Sequence, residues 1–412
     1  MKKSLLAVAA IGAFASAAQA QSSVTVYGIL DVGYIGGSSR VNNSSVATNG
    51  GQTKTTVNQF GQSAESTSRL GFKGNEDLGG GMSAFFTAEF QMYPSDQDLS
   101  GNSNGGLLNR QTFVGLKKSG IGQFAVGTQY TPVFNANAST NPNGSNNMAG
   151  DLVYAGAAIT TTKGLDNGGS QSASFTNRTS NTLTVQSDKF AGFSANAMWT
   201  LANQNSSQTT TTTTGNVNAS GWGLGADYTY NKFYVTAAYQ ALTQLSSAQT
   251  ATPALGTTFT PWTTAQPSAG TMANKDQLTS GLNVHDNQFL VGTTYDFGIL
   301  KAYAQYVSRK ATASQNTGYY VKRSAEQIGV RSFITPKIEA WASGSLGRYT
   351  SFGANSPTAN MNGWQLGSNY YLSKRTNLYA IYGQQLTSNS SANGTTISGG
   401  VSNYAVGVRH TF

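Results

Sequence analysis

The dominant feature of this sequence is a stretch of about ten residues in which apolar and polar side chains alternate, repeated along the chain. Alternation with period 2 is typical of a β-strand whose two faces meet different surroundings. Sixteen such stretches can be placed, at 24–35, 68–77, 82–93, 107–117, 122–131, 178–188, 191–202, 221–230, 233–244, 287–297, 299–310, 324–334, 337–349, 362–372, 375–387 and 402–412. The sequence therefore predicts an all-β protein.

The first twenty residues do not follow this pattern. Met1–Ser4 is short and basic, residues 5–15 are apolar, and Ala18-Gln19-Ala20 is typical of a cleavage site for an exported protein. The apolar part is too short to span a bilayer as a helix, which takes about 20 residues. Residues 1–20 are therefore predicted to be a cleaved signal peptide, and 21–412 the mature, exported chain.

The connections between the strands alternate strictly between short ones, with Gly or Asn, and long ones rich in Ser, Thr, Asn and Gly. Such alternation over an even number of strands is typical of an outer-membrane barrel, in which tight turns and long loops lie on opposite sides. Sixteen strands enclose an aqueous channel. We predict a 16-stranded antiparallel transmembrane β-barrel with short periplasmic turns and long external loops. Tyrosines near the strand ends are expected at the membrane interfaces, namely Tyr34, Tyr93, Tyr295, Tyr349, Tyr370, Tyr371 and Tyr404.

Composition narrows the function classes further. Charged residues make up 10% of the chain, and cysteine is absent, against about 25% charged residues in ordinary soluble domains. The available histidines are His285 and His410, and no motif places a carboxylate beside either of them. We therefore expect no enzyme, metal site or cofactor. The formal net charge of +9 would suit nucleic acid, but export argues against that partner and favours bases inside a pore.

Four motifs in order resemble the trimeric general diffusion porins of Gram-negative bacteria. They are the runs Val24–Asp31, Ser68–Gly81, Asn109–Leu116 and Val406–Phe412. The resemblance covers the whole chain and implies a homotrimer in the outer membrane, surrounded by lipid and lipopolysaccharide. It implies passive diffusion of ions and small hydrophilic solutes without a cofactor, and the lumen bases add a mild preference for anions. A substrate-specific channel and a secreted β-sandwich adhesin remain alternatives.

The resemblance also implies a constriction, formed by a long external loop that folds inward. By its order in the chain this loop is 132–177, and its candidate pore-facing acids are Asp151 and Asp166. Bases on the polar faces of the strands would oppose them across the channel. The candidates for this constriction or lumen role are Arg69, Lys73, Arg110, Arg178, Arg331 and Arg409.

The last strand carries a possible assembly signal. Outer-membrane barrels resemble one another in ending on an aromatic residue preceded by apolar residues at alternate positions. Here that face consists of Tyr404, Val406, Val408, His410 and Phe412. The resemblance implies that this strand is presented to the machinery that inserts barrels into the outer membrane.

Overall fold

The computed structural model describes most of the chain with gaps. The described residues are 23–43, 51–96, 99–100, 107–154, 174–204, 217–246, 284–313, 320–351, 358–388 and 397–412. The predicted signal peptide and Asp166 lie outside them. Within these ranges the chain forms one short helix and seventeen strand segments.

The strands run nearly the full length of the described chain. They are β1 Ser23–Asn43, β2 Gly51–Gln62, β3 Arg69–Gly79, β4 Met82–Gln91, β5 Asn109–Lys118, β6 Gly122–Tyr130, β7 Arg178–Ser187, β8 Phe193–Gln204, β9 Val217–Tyr230, β10 Phe233–Ser246, β11 Val284–Asp296, β12 Lys301–Ala313, β13 Tyr320–Thr335, β14 Ile338–Ser351, β15 Thr358–Tyr371, β16 Thr376–Thr387 and β17 Ile397–Thr411. The helix α1, Pro132–Thr140, follows β6. No helix among the described residues is long and apolar enough to cross a membrane.

The seventeen segments form sixteen positions in one closed antiparallel sheet. From β3 to β17 each strand pairs with the next, and β1 closes the ring by pairing with both β17 and β3. The segment β2 also pairs with β1, along the outer half of β1. Since β2 and β3 share one neighbour, they occupy a single position, interrupted by a buried bend at residues 63–68. The predicted 16-stranded barrel is thus confirmed.

The predicted strands 24–35 and 68–77 leave 36–67 as a long connection, and this prediction was wrong over most of that length. Residues 36–43 continue β1, and 51–62 form β2, paired with it. Other strands likewise run beyond the predicted boundaries, away from the short turns: β13 begins at Tyr320 instead of 324, and β17 at Ile397 instead of 402. Apart from 320–323, which reads Tyr-Val-Lys-Arg, these extensions are rich in Ser, Asn, Thr, Gln and Gly. They carry little apolar alternation, so the sequence pattern does not mark them as strands.

The two faces of the strands follow the predicted alternation. On β17, Tyr404 and Val406 are exposed, whereas Asn403 and Ala405 are buried. The outward side chains form an apolar surface suited to lipid, and the inward ones are largely polar. Among the tyrosines expected at the interfaces, Tyr34, Tyr295, Tyr370 and Tyr404 are exposed, but Tyr93 is buried. Tyr349 and Tyr371 point inward, to Arg323 and Glu339.

Candidate functional site

The chain segment after β6 turns into the barrel instead of leaving it. Thr131 caps α1, since its Oγ1 accepts a hydrogen bond from the amide of Phe134 at 3.2 Å, and Pro132 opens the helix. The helix packs against strands β9–β12. Residues 141–154 continue along the inner face of later strands, and nearly all are buried. We call residues 131–154 the inner segment.

Four inward-facing glycines allow the inner segment to lie directly on the barrel wall. They lie on β11, β13, β15 and β16, and are Gly292, Gly329, Gly363 and Gly383. A Cβ on Gly363 would lie 2.7 Å from the carbonyl oxygen of Gly150, and one on Gly329 would lie 2.6 Å from Pro142. On Gly292 and Gly383 it would overlap Thr140 and the Ala149 carbonyl. Only glycine permits so close an approach of two backbones.

Amide side chains fix the inner segment to this track. Asn146 Nδ2 donates to Gln365 Oε1 at 2.6 Å, and Gln365 returns the bond to Asn146 Oδ1 at 3.1 Å. The Ala149 amide donates to Asn403 Oδ1 at 3.0 Å. Asn147 Nδ2 donates to the Ser63 carbonyl at 2.7 Å, and so joins the segment to the buried bend at 63–68. These contacts are neutral hydrogen bonds between buried groups, which resist screening by salt.

Asp151 belongs to the inner segment and is fully buried. Its Oδ2 accepts hydrogen bonds from Asn141 and Asn143, and its Oδ1 accepts them from the amides of Val153 and Tyr154. Burial raises the pKa of the Asp151 carboxyl, and these hydrogen bonds offset part of that rise. The structure therefore places Asp151 as a brace within the loop, whereas the sequence suggested a pore-facing acid.

The return arm of the loop is anchored on β10–β13. The Thr176 amide donates to Gln288 Oε1 at 2.6 Å, and Gln288 Nε2 in turn donates to Asp286 Oδ2 at 2.9 Å. Asp286 also binds Arg309, whose Nη2 lies 2.7 Å from Oδ2, and both side chains are almost fully buried. Arg323 donates to the Ser174 hydroxyl and to the Leu152 carbonyl. The two arms of the loop thus meet at Arg323. We call strands β10–β17, with these inward contacts, the covered wall.

Three arginines gather on the remaining part of the barrel. The Arg110 Nε donates to Glu89 Oε1 at 2.9 Å, and its Nη2 donates to the Tyr130 hydroxyl at 3.0 Å. Arg69 lies 3.9 Å from the same carboxylate. Arg178 lies over the Tyr130 ring, 5.8 Å from its centroid. Two guanidinium groups thus contact the Glu89 carboxylate, and the third joins them through Tyr130. We call this group on β3–β7 the basic wall.

Local irregularity in the strands creates the basic wall. A register shift between Glu89 and Phe90 of β4 leaves Arg110 of β5 without a directly opposite residue. This bulge turns the side chain of Arg110 toward Glu89. A second shift, between Gly127 and Gln129, brings Tyr130 opposite Arg178. Bulges are common where a strand must redirect a side chain.

Arg331 and Arg409, the two other predicted arginines, lie on the covered wall with acidic partners. Arg331 Nε lies 3.2 Å from Glu339, and Arg409 Nη1 lies 3.4 Å from Glu65 on the buried bend. Asp31 holds that bend, because its Oδ2 accepts hydrogen bonds from the amides of residues 65 and 66. The charges of this region are therefore largely balanced.

Lys73 and the C-terminal strand complete the predicted residues. Lys73 is on the inward register of β3, is exposed, and lies 5.4 Å from the centroid of the Tyr27 ring. On the opposite, outward face of β17 lie the residues of the expected assembly signal. His410 and Phe412 are exposed there, with their rings 6.5 Å apart.

Sequence reasoning missed several residues of this interior. Asp31, Glu65, Asp286, Arg309 and Arg323 were not among the candidates, although all are buried and bonded. Asp31 was visible as a carboxylate on the polar register of a predicted strand. Arg309 and Arg323 also fell within or beside predicted strands, yet nothing local distinguished them from rim charges. The inward glycines could have been found by listing glycines on the polar register.

The comparisons with known proteins agree with this architecture. The family model of the Gram-negative porins matches residues 7–390. An outer membrane porin protein of Bordetella pertussis is 26% identical over 441 residues, which cover 100% of both chains. Outer membrane porin protein 32 of Delftia acidovorans is 38% identical over 138 residues, or 32% of this chain and 33% of that protein.

Solved structures share the fold at low sequence identity. The anion-selective porin from Comamonas acidovorans superposes with a TM-score of 0.61 at 21% identity, covering 95% of this chain and 100% of that one. The trimer form of OmpT from Vibrio cholerae gives 0.55 at 13% identity, covering 95% and 99%. The match to the family model over nearly the whole length decides the assignment. The chain belongs to the Gram-negative porin family and is a β-barrel channel for passive diffusion across the outer membrane.

Proposed function

We propose that the narrowest part of the channel lies between the basic wall and the inner segment, and that small anions pass it more readily than cations. The observation that carries this proposal is the gathering of three bases on the basic wall, where, among the described residues, Arg69 and Arg110 contact Glu89 and Arg178 lies over the Tyr130 ring. Bases that line a pore lower the free energy of anions within it. Arg69 keeps 18% of its side chain exposed, which is more than Arg110, the other arginine in contact with Glu89.

The covered wall contributes little selectivity in this proposal. Arg331 and Arg409 are matched by Glu339 and Glu65, and Arg309 by Asp286. Lys73, on the inward register nearer the short turns, adds positive charge to the lumen. Asp166, which lies outside the described residues, stays the candidate acid of loop 132–177, because Asp151 is engaged inside the loop.

The test is the reversal potential of the refolded mature protein in a planar bilayer under a salt gradient. Arg69→Gln should shift the anion-to-cation permeability ratio toward cations by about twofold, which is the effect of one unit charge about 10 Å away in water. Lys374→Gln, in a short turn between β15 and β16, removes the same charge outside the lumen. Equal shifts in both variants, or a cation-selective wild type, would contradict the proposal.

We further propose that the channel is a homotrimer. The motifs resemble trimeric porins, and one of the solved structures with this fold is a trimer form. Conductance should then appear in bilayers in groups of three equal steps, and chemical cross-linking in detergent should yield a trimeric species. Single steps together with a monomeric mass in detergent would refute it.

Two expectations about processing complete the proposal. The mature chain begins at Gln21, which N-terminal sequencing of the membrane-inserted protein would check.

The outward residues of β17, ending in Phe412, serve as the assembly signal. Phe412→Ala should reduce the amount of inserted protein in cells while leaving refolding of the purified chain into detergent intact. Loss of both would instead indicate a purely structural role.

A further inference from the structure

A small cleft opens in the lumen beside the start of the inner segment. It measures about 190 Å³, and its wall combines Pro132 and Asn135 of α1 with inward residues of β4–β8. Because α1 lies inside the barrel, the cleft faces the channel and not the lipid. Sites for drug-sized ligands usually measure about 300–1,000 Å³, so this cleft suits a single small ring. We call it the amide cleft.

One side of the amide cleft is a row of three amide side chains at the same height. Gln186 of β7 is paired with Gln123 of β6 on one side and with Asn196 of β8 on the other. Residues paired across neighbouring strands lie on the same face of the sheet, and the strands are about 4.8 Å apart. The row therefore presents several hydrogen-bond donors and acceptors to one ligand.

The amides of this row are less saturated than an amide that helps to build the wall. Gln129 is saturated, because its Nε2 donates to two backbone carbonyls and its Oε1 accepts from the Thr184 hydroxyl at 2.7 Å. In the row, Gln123 Nε2 donates to Gln186 Oε1 at a long 3.3 Å, and the buried Asn196 Oδ1 accepts no hydrogen bond from the described residues. A buried acceptor without a donor is costly, so the row has capacity for a ligand.

Two aromatic rings form the other side of the amide cleft. Phe85 of β4 and Phe113 of β5 face the lumen, with their ring centroids 6.3 Å apart and their planes at 77°. Gly115 makes room for this pair, since a Cβ there would lie 2.6 Å from the Phe85 ring. Both rings are partly exposed, and they therefore present apolar surface to the water of the channel.

No charged side chain lines the amide cleft among the described residues. An ion that entered it would lose hydration without gaining a counter-charge. The basic wall lies next to the cleft, since Tyr130 borders the cleft and also accepts a hydrogen bond from Arg110. The cleft therefore suits a neutral solute, in contrast to the basic wall beside it.

We propose that the amide cleft binds one neutral sugar ring on its way through the channel. The hydroxyl groups at the edge of the ring exchange hydrogen bonds with the amide row, and the C–H face of the ring packs on Phe85 and Phe113. A hydroxyl both donates and accepts, as an amide side chain does, and aromatic side chains contribute large apolar contact area. An open-chain polyol has no such face and loses more rotational freedom on binding. This inference goes beyond the proposed anion preference and does not depend on it.

The test is single-channel recording of the refolded mature protein with D-glucose added in steps. A bound ring should block part of the ion current. The conductance, corrected for the conductivity of the bulk solution, should therefore fall to a plateau, and the half-blocking concentration measures the affinity. Sorbitol, an open-chain polyol, should block about fivefold more weakly because its chain must be ordered.

Two variants test the two sides of the amide cleft. Gln186→Met removes the hydrogen bonds of the side chain and should raise the half-blocking glucose concentration about fivefold. Phe113→Leu removes one ring and should raise it about as much. The matched controls are Gln385→Met on β16 and Tyr303→Leu on β12, which change inward residues outside the cleft. Both controls should be blocked by glucose as the wild type is.

Four outcomes would overturn the proposal. A conductance that falls only with the bulk conductivity would mean that the channel holds no sugar site. Equal block by sorbitol would mean that the solute merely excludes ions by its volume. Equal loss of block in the cleft variants and their controls would mean that the cleft has no part in it. Loss of block in Arg69→Gln, the variant that tests the anion preference, would place the sugar on the basic wall.

Discussion

The basic wall and the covered wall belong to one sheet but use their inward side chains in different ways. On the covered wall, three arginines have an acidic partner, as Arg309 has in Asp286, and Arg323 donates to neutral groups of the loop. Glycines and amides of this wall receive the inner segment. On the basic wall, Arg69 and Arg110 both contact Glu89, and Arg178 lies against Tyr130. Docking a loop requires small residues and neutral, saturated hydrogen bonds, whereas selectivity requires unbalanced charge. The barrel keeps these incompatible requirements on different strands.

The largest expected effect comes from unbalancing the covered wall. Asp286→Ala leaves the Arg309 guanidinium buried without its carboxylate, which should lower the free energy of unfolding by about 3–5 kcal/mol. Urea titration of the protein in lipid vesicles would measure it. The double variant Asp286→Leu/Arg309→Met removes both charges and should recover much of the loss. No recovery would indicate that packing, and not charge burial, dominates at this pair.

Overfilling the glycine track should move the inner segment. Gly383→Leu places a side chain where the Ala149 carbonyl lies, at a cost of about 1–3 kcal/mol, typical of overpacking. If the segment leaves the wall, single-channel conductance will change and the loop will become open to protease. Gly344→Leu is the matched control, since it adds the same side chain to open space on the outward face. Identical behaviour of the two variants would contradict the docked position.

The third prediction concerns the brace within the loop. Because burial raises the pKa of Asp151 above its ordinary value of 3.8, the folded state holds this proton more tightly than the unfolded state does. Stability from this group is therefore present at low pH and is lost as the pH rises from about the ordinary value through the raised one.

Asp151→Asn should remove that slope, which is at most about 1.4 kcal/mol per pH unit. Urea midpoints of wild type and variant, measured across this pH range, would reveal it. Parallel pH profiles for the two proteins would mean that the hydrogen bonds to Asp151 cancel the effect of burial.

The smallest effect is expected from removing the Glu89 carboxylate from the basic wall. Glu89→Gln keeps the shape of the side chain but removes the carboxylate that both Arg69 and Arg110 contact. The anion-to-cation permeability ratio should rise by about twofold or less, as expected for one charge about 10 Å from the permeating ion. Glu339→Gln, on the covered wall, is the comparison. A larger rise in that variant would place the selective region on the covered wall.

Much of the fold could be predicted because lipid imposes a local rule. A strand that crosses the bilayer must alternate apolar and polar residues, so stretches such as 402–412 reveal both their position and their faces. Outside the bilayer this rule lapses, which is why the pattern predicts a connection at 36–43 and 51–62 although these residues form the outer part of β1 and the whole of β2. The tyrosines show the same limit, since adjacent residues such as Tyr370 and Tyr371 must point to opposite faces.

The candidate site was less accessible from the sequence. Arg69, Arg110 and Arg178 could be proposed as lumen bases from their register, but their meeting at Glu89 depends on two bulges and on strand pairing. Asp151 was expected to face the pore, and its burial depends on how the inner segment folds over Asn141 and Asn143.

The sequence by itself determined that this chain is an exported, all-β protein, that its barrel has sixteen strands, and that the outer surface of the barrel is apolar. Each of these follows from composition or from a period of two residues, which are properties of neighbouring positions. Only the tertiary structure decided which inward charges are neutralised. Glu65 and Arg409, or Thr176 and Gln288, are far apart along the chain. Their contact arises when the ring closes and the loop enters it, so no local pattern encodes it.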